Sequence, residues 1–217
     1  MTHLPLLIDL DGTLLDTERL FTECFVRAAT ALNFPLPWQH ACEVVGLTAE
    51  QSREYLFDKY GPALPLKEIE ERAFLDFHKL LSVDVPLREG CQEFIEAVFR
   101  LRIPFAVATV RKTSSAQELL SRTKIGSLIT HVYGCDLVPY PKPAPDIFRY
   151  AADKLNFSIG ECLAIEDSKV GITAALAAGC KVIALQGLGI LPDEMLRRCH
   201  LEADSFSDLT SKLPNLI

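Results

Sequence analysis

Leu6-Leu7-Ile8-Asp9-Leu10-Asp11-Gly12-Thr13 is an apolar run that ends in two carboxylates one residue apart, followed by a glycine turn. Apolar residues on both sides of a short strand mark it as central in a parallel sheet, covered on both faces. Asp9 and Asp11 then stand at its carboxyl end, the rim where open α/β sheets bind their ligands. An ordinary Asp-Gly turn accounts for Asp11-Gly12. It does not account for Asp9, a charge placed directly after Leu-Leu-Ile.

Downstream of this strand, residues 16–81 read as helix. Phe21, Cys24, Phe25, Ala28, Ala29 and Leu32 recur at spacings of three and four and give one apolar face. The prolines at 35 and 37 break that helix. A second helix is expected over 37–46. Thr48-Ala49-Glu50-Gln51 reads as a capping box opening a third, which Gly61-Pro62 ends. A fourth is expected over 66–81, with Ile69, Ala73, Phe74, Phe77, Leu80 and Leu81 on one side.

After Gly90 the pattern changes. Helices over 91–101, 115–122, 145–155 and 169–178 alternate with strands over 103–109, 128–133, 162–165 and 181–185. Such alternation implies βαβ units and a parallel sheet, hence an α/β fold. The last 30 or so residues are expected to hold a helix near 192–199 and a short one near the end.

Composition narrows the function. The chain has 217 residues, 49% hydrophobic and 24% charged, enough for a core of normal size without disulfides. A net charge of −7 argues against a broad nucleic-acid footprint. Seven cysteines without a CxxC pair suit reduced thiols in a reducing compartment, and the cytoplasm is expected. No basic leader with a cleavage site is read at the N-terminus, and no apolar run reaches a membrane span. A monomer without membrane or nucleic-acid partners is expected.

Strand ends supply the chemistry. The first offers Asp9 and Asp11, the second Thr109, the fourth Glu166 and Asp167, and the loop after the third offers Lys142. Carboxylates converging on one sheet edge repel and raise one another's pKa values. A divalent cation relieves that cost, and hard oxygen ligands with room for water suit Mg²⁺. Lys142 stands among three prolines in Tyr140-Pro-Lys-Pro-Ala-Pro145, so its loop loses little entropy on ordering. The set suits phosphoryl transfer, with a carboxylate nucleophile, a nearby acid/base and cations around the phosphoryl oxygens. Taken singly, Thr109 fits ordinary strand propensity and Glu166-Asp167-Ser168 an ordinary helix cap.

In order along the chain, Asp9-Leu-Asp11-Gly-Thr, Thr109, Lys142-Pro-Ala-Pro-Asp146 and Ile165-Glu166-Asp167-Ser168 resemble motifs I to IV of the haloacid dehalogenase superfamily. The resemblance spans roughly residues 4–190 and is nearest to the subgroup with a helical cap between motifs I and II. It implies a Rossmann-like three-layer core from residues 1–15 and 83–217, with residues 16–82 inserted as an α-helical cap. It implies Asp9 as the nucleophile, Asp11 as the acid and then the base, and Thr109 and Lys142 as holders of the phosphoryl group. Mg²⁺ would be bound by Asp9, the Asp11 carbonyl, and Asp167 with or without Glu166.

The expected activity is Mg²⁺-dependent hydrolysis of a small phosphomonoester, a sugar phosphate or similar metabolite. A phosphomutase of the β-phosphoglucomutase type is the alternative, and a non-catalytic signalling domain phosphorylated on aspartate a further one. Gly46-Leu47-Thr48 resembles the substrate-facing cap loop of the mutases, but Ala49 stands where they carry arginine. Val110-Arg111-Lys112 follows the motif II threonine, where many relatives have small polar residues. Two cations ahead of a helix N-terminus are unfavourable. Either the two are a solvated pair whose cost water and salt reduce, or Arg111 or Lys112, with the helix N-terminus, faces a second anionic group on the substrate; the second reading predicts a preference for substrates carrying such a group.

Overall fold

In the computed structural model, which describes residues 4–216, Leu6, Leu7 and Ile8 are almost completely buried and form the central strand. Residues 1–3 and 217, the outer ends of the expected core segments, lie outside the described residues. Six strands make one sheet: β1 (Leu6–Ile8), β2 (Phe105–Ala108), β3 (Val132–Tyr133), β4 (Leu163–Glu166), β5 (Lys181–Leu185) and β6 (Leu201–Ala203). Their order is β3-β2-β1-β4-β5-β6, and every neighbouring pair is parallel. The chain winds outward from β1 to one side and then, from β4, to the other. The carboxyl ends of β1 and β4 therefore flank the switch point, where such sheets open a crevice.

Alternation along β1 assigns its side chains to two layers. Leu6 and Ile8 join one cluster with the buried faces of α5 (Cys91–Arg100), α6 (Thr113–Ser121) and α10 (Phe206–Leu216). Leu7 joins the other with α7 (Asp146–Lys154) and α8 (Lys169–Ala178). Small residues such as Ala106, Ala108, Ala164 and Ala184 line that second face, so α7 and α8 pack close to the sheet. Ser168 caps α8 by accepting from the Gly171 amide, and Gly179 closes it in a left-handed conformation.

Four helices stand between β1 and α5: α1 (Thr17–Ala31), α2 (Trp38–Cys42), α3 (Ala49–Tyr60) and α4 (Leu66–Val83). The seam between α1 and α4 is built from Phe25, Ala28, Ala29, Ile69, Ala73 and Phe77, all buried. Burying one large apolar side chain contributes roughly 1.5–3 kcal/mol, so this seam holds the block together without a strand. Thr48 and Gln51 form the expected capping box at α3, and Gly61 ends it. The two connections to the sheet run beside each other. Leu15 bridges Leu87 antiparallel, the Asp16 amide donates to Pro86 O at 2.9 Å, and the Arg88 amide to Leu14 O at 3.0 Å.

Some element boundaries differ from the sequence pattern. The apolar run 128–133 is a strand only at Val132–Tyr133; Gly126–Leu128 is a 3-10 turn, and Ile129 is buried by packing rather than pairing. The second helix stops at Cys42. Phe74 and Leu80 lie outside the packed stripe of α4 and are exposed. The tail adds an unexpected strand, β6, ahead of α10, and the helix expected over 192–199 is the single turn α9 (Asp193–Leu196). All seven cysteines are free thiols. Among the described residues, no helix is long and apolar enough to cross a membrane.

Candidate active site

Asp9 follows β1 at the switch point and is almost fully buried. Lys142 reaches it from the proline-rich loop, where the Lys142–Pro143 peptide is cis. The ammonium donates to Asp9 Oδ1 at 2.5 Å, to Glu166 Oε1 at 2.6 Å and to the Ala108 carbonyl at 2.9 Å. It also lies over the Phe148 ring, 4.9 Å from the centroid. All three donors of the lysine are thus engaged, and the side chain is a fixed charge at the carboxyl ends of β1, β2 and β4.

Asp167 adds a third buried carboxylate and accepts from the Thr13 hydroxyl at 2.9 Å. Asp9, Glu166 and Asp167 each place an oxygen within 4.8 Å of the others. Glycines make room for this crowding. A Cβ on Gly12, whose φ is +80°, would run into the carboxylates of Asp167 and Glu18, and one on Gly171 into that of Glu166.

The electrostatics follow from one buried ammonium among several carboxylates. Burial pushes Asp9 up to about 7; Lys142 opposes the rise and Glu166 adds to it. Burial raises Glu166 too, against the pull of Lys142. Asp167 is raised well above the carboxylate range by burial and then by Glu18 and Asp9. Burial would lower Lys142, but Asp9 and Glu166 outweigh it and hold the ammonium above its ordinary range. The negative charge exceeds what one lysine offsets, and the free donors are hard oxygens. That donor set fits a divalent cation such as Mg²⁺. Glu166 spends its oxygens on Lys142 and, at 3.3 Å, on Ser168, so Asp9 and Asp167 have more capacity for an ion.

Thr109, buried at the end of β2, accepts from the Arg111 amide at 3.1 Å, which leaves its own proton for a phosphoryl oxygen. Asp11 turns its carboxylate away from the acidic trio. Arg111 grips it with two 2.7 Å hydrogen bonds, Nε to Oδ2 and Nη2 to Oδ1, and the Thr17 hydroxyl donates to Oδ1 at 2.7 Å. What Asp11 has left for an ion is its backbone carbonyl.

Asp11 and Arg111 open into a cavity of about 580 Å³ between the sheet edge and α1–α4. Gly46, Leu47 and Val110 line it as well, whereas Thr48 and Lys112 do not. Thr48 is spent on its capping box, and Lys112 sits at the N-cap of α6.

Two site residues went unread in the sequence. Glu18, in the first turn of α1, sits under Gly12 beside Asp167, and burial and then Asp9, Asp11 and Glu166 push it up to about 8. Its only local signal is that of an ordinary helix-start acid. Arg88 donates to the Gly12 carbonyl and to the Gln186 carbonyl, both at 2.6 Å, tying both connections to the loop after β5. Nothing local marks it.

The family described as haloacid dehalogenase-like hydrolase matches residues 6–185. Among similar proteins, CbbY of Cereibacter sphaeroides is 31% identical over 94% of this chain and 93% of its own length. A probable pseudouridine-5'-phosphatase of Drosophila melanogaster is 30% identical over 81% of this chain and 78% of its own. A solved structure of a haloacid dehalogenase family hydrolase from Deinococcus radiodurans, with bound phosphate and sodium, superposes with a TM-score of 0.85 at 23% identity, covering 99% of this chain and 96% of that one. With the motif residues gathered at one sheet edge and the family matched across most of its length, the chain belongs to the haloacid dehalogenase-like hydrolases.

Proposed function

We propose that the chain is a Mg²⁺-dependent phosphatase that hydrolyses a small phosphomonoester through a covalent intermediate on Asp9. The observation that carries this reading is the Lys142 ammonium held between Asp9 and Glu166 beside Asp167. A carboxylate fixed this way at a sheet rim is aimed and partly shielded, so an anionic phosphoryl group meets less repulsion. Relatives named as phosphatases, including a phosphorylated carbohydrates phosphatase of Thermotoga maritima, support the reaction class.

In the first half-reaction Asp9 attacks phosphorus, the bond from phosphorus to the ester oxygen breaks, and Asp11, carrying a proton on the Oδ2 lone pair that Arg111 leaves free, gives it to that oxygen. In the second, Asp11 takes a proton from water as the water attacks the phosphoryl group, releasing phosphate and restoring Asp9. Thr109 and Lys142 hold phosphoryl oxygens throughout. Mg²⁺, held by Asp9, Asp167 and the Asp11 carbonyl, with Glu166 behind, would neutralise charge on those oxygens. Residues 16–82 serve as a cap over the core of residues 1–15 and 83–217, closing to exclude water. Ala49 lines the cavity where the mutase resemblance calls for arginine, which favours hydrolysis over phosphoryl return.

The test is phosphate release from p-nitrophenyl phosphate with and without Mg²⁺. Asp9→Asn should remove turnover by several orders of magnitude while leaving the protein folded, as loss of a covalent nucleophile does (~10⁴-fold or more). Near-normal turnover by a folded Asp9→Asn protein sinks the mechanism.

A further inference from the structure

The cavity beside Asp11 receives whatever the phosphate is esterified to, so its walls bear on the substrate. Those walls are apolar. Phe21 and Phe25 of α1, Phe77 of α4, Leu56 of α3, and Val44 and Leu47 of the loop between α2 and α3 surround it. Phe21 meets Phe77 edge to face, with ring centroids 5.6 Å apart and planes at 82°. Its volume, about 580 Å³, lies within the range that encloses a drug-sized ligand, roughly 300–1,000 Å³.

The hydroxyl protons on the walls are already committed. The Thr17 hydroxyl donates to Asp11, the Thr22 hydroxyl to the Glu18 carbonyl at 2.7 Å, and the Ser52 hydroxyl to the Val44 carbonyl at 3.4 Å. Glu70 pairs with Arg53 at 3.2 Å. A polyol would bury hydroxyls against hydrocarbon with few partners, which is unfavourable. A second anionic group fares no better. The charged lining residues are Asp11, Glu18, Glu70 and Arg111, three acids and one base, and that base is closed on Asp11. Two of its five N–H donors are spent there and its charge is offset by Asp11, so a distal anion meets a neutral pair and not an unpaired cation, contrary to the expectation from its place in the sequence.

We infer that the substrate is the phosphomonoester of an alcohol carrying a bulky apolar or aromatic group, with no second anionic group, and that this group is seated among Phe21, Phe25, Phe77 and Val44. This rests on the phosphatase reading and narrows its substrate class. The aromatic guest completes the edge-to-face cluster and displaces water from hydrocarbon walls.

Three esters test it with the Mg²⁺-loaded full chain: 2-(1-naphthyl)ethyl phosphate, glucose 6-phosphate and fructose 1,6-bisphosphate. The naphthylethyl ester leaves as a primary alcohol, so a preference for it does not report an easier leaving group. Its kcat/KM should exceed those of both sugar esters at least tenfold. Val44→Ser should cut the ratio of naphthylethyl to glucose ester severalfold, chiefly through KM. Equal or better turnover of either sugar ester overturns the inference, and preference for the bisphosphate specifically would mean that Arg111 lets go of Asp11. If p-nitrophenyl phosphate is not hydrolysed at all, the phosphatase reading fails. Calorimetric binding of 2-(1-naphthyl)ethylphosphonate against glucose 6-phosphate then decides the cavity's preference separately, tighter phosphonate binding sustaining it and equal or weaker binding overturning it.

Discussion

Lys142 illustrates how one buried charge organises this site. It neutralises Asp9 and Glu166 together, and among the described residues neither carboxylate has another cation bonded to it. Lys142→Met should leave two buried carboxylates facing each other. Removing one partner of a buried ion pair typically costs about 3–5 kcal/mol. Urea denaturation in metal-free buffer at pH 8, above the range to which burial raises Asp9, should show a loss of that order; an unchanged midpoint would mean the carboxylates simply protonate. Arg111 supports a second prediction at this scale. Its planar fork orients Asp11, and lysine cannot reproduce two parallel hydrogen bonds. Full loss of acid/base catalysis is typically worth ~10²–10⁴-fold. Arg111→Lys, which only misdirects Asp11, should lower kcat by roughly tenfold with KM little changed. A raised KM with kcat intact would return Arg111 to the anion-binding role read from the sequence. Individual residues were legible where chemistry interrupts a pattern. A charge after Leu-Leu-Ile, or a lysine between prolines, is locally odd and so stands out. Glu18 and Arg88 are locally ordinary and become special only when folding brings Gly12, Asp167 and Gln186 beside them.

The same distinction holds for elements. Long periodic helices and fully apolar strands were legible: the stretches 169–178 and 181–185 match α8 and β5 residue for residue. Those segments carry their own caps and contrast. Elements defined by neighbours were not. β6 has three residues and exists because it pairs with β5, while Leu128 and Ile129 look like strand but pack without pairing. The packed stripe on α4 is narrower than the periodicity suggests, because Phe74 and Leu80 flank the packed face rather than sit on it. The paired connections between Gly12 and Asp16 and between Ser82 and Gly90 are the elements on which cap movement should turn. Two backbone hydrogen bonds and the Leu15–Leu87 bridge join them, and Arg88 anchors both to the core. Adding a phosphate mimic with Mg²⁺ should slow amide exchange at Asp16 and Arg88 as closure damps local opening. Arg88→Ala should raise their exchange in the free protein. Amides indifferent to both changes would exclude these connections as the hinge.

At the scale of the whole molecule, the acidic site makes folding depend on pH and metal together. Without a cation, Asp9 is shifted from 3.8 to about 7 and Glu18 from 4.5 to about 8, each mainly by burial. The unfolded chain releases these protons near pH 4, whereas the folded chain keeps them until pH 7–8. Across that window the folded state binds more protons than the unfolded one, so stability falls as pH rises. The stability these groups contribute is complete below about pH 4 and lost as pH climbs through 7 and 8. Lys142, held above its ordinary range, titrates well above this window and leaves the slope unchanged. A divalent cation held by this cluster would reverse the balance, because it would bind the ionised carboxylates of the folded state and find no such cluster in the unfolded chain. Thermal unfolding in chelator should therefore give a Tm that declines between pH 5 and pH 8. Added Mg²⁺ should raise Tm much more at pH 8 than at pH 5, where protons already occupy the site. Asp9→Asn removes one of the buried charges, so in chelator it should be more stable than the parent at pH 8 and gain less from Mg²⁺. An equal Mg²⁺ increment at both pH values, or a chelated protein that grows more stable toward pH 8, would show that the carboxylates at the sheet edge are not the metal site.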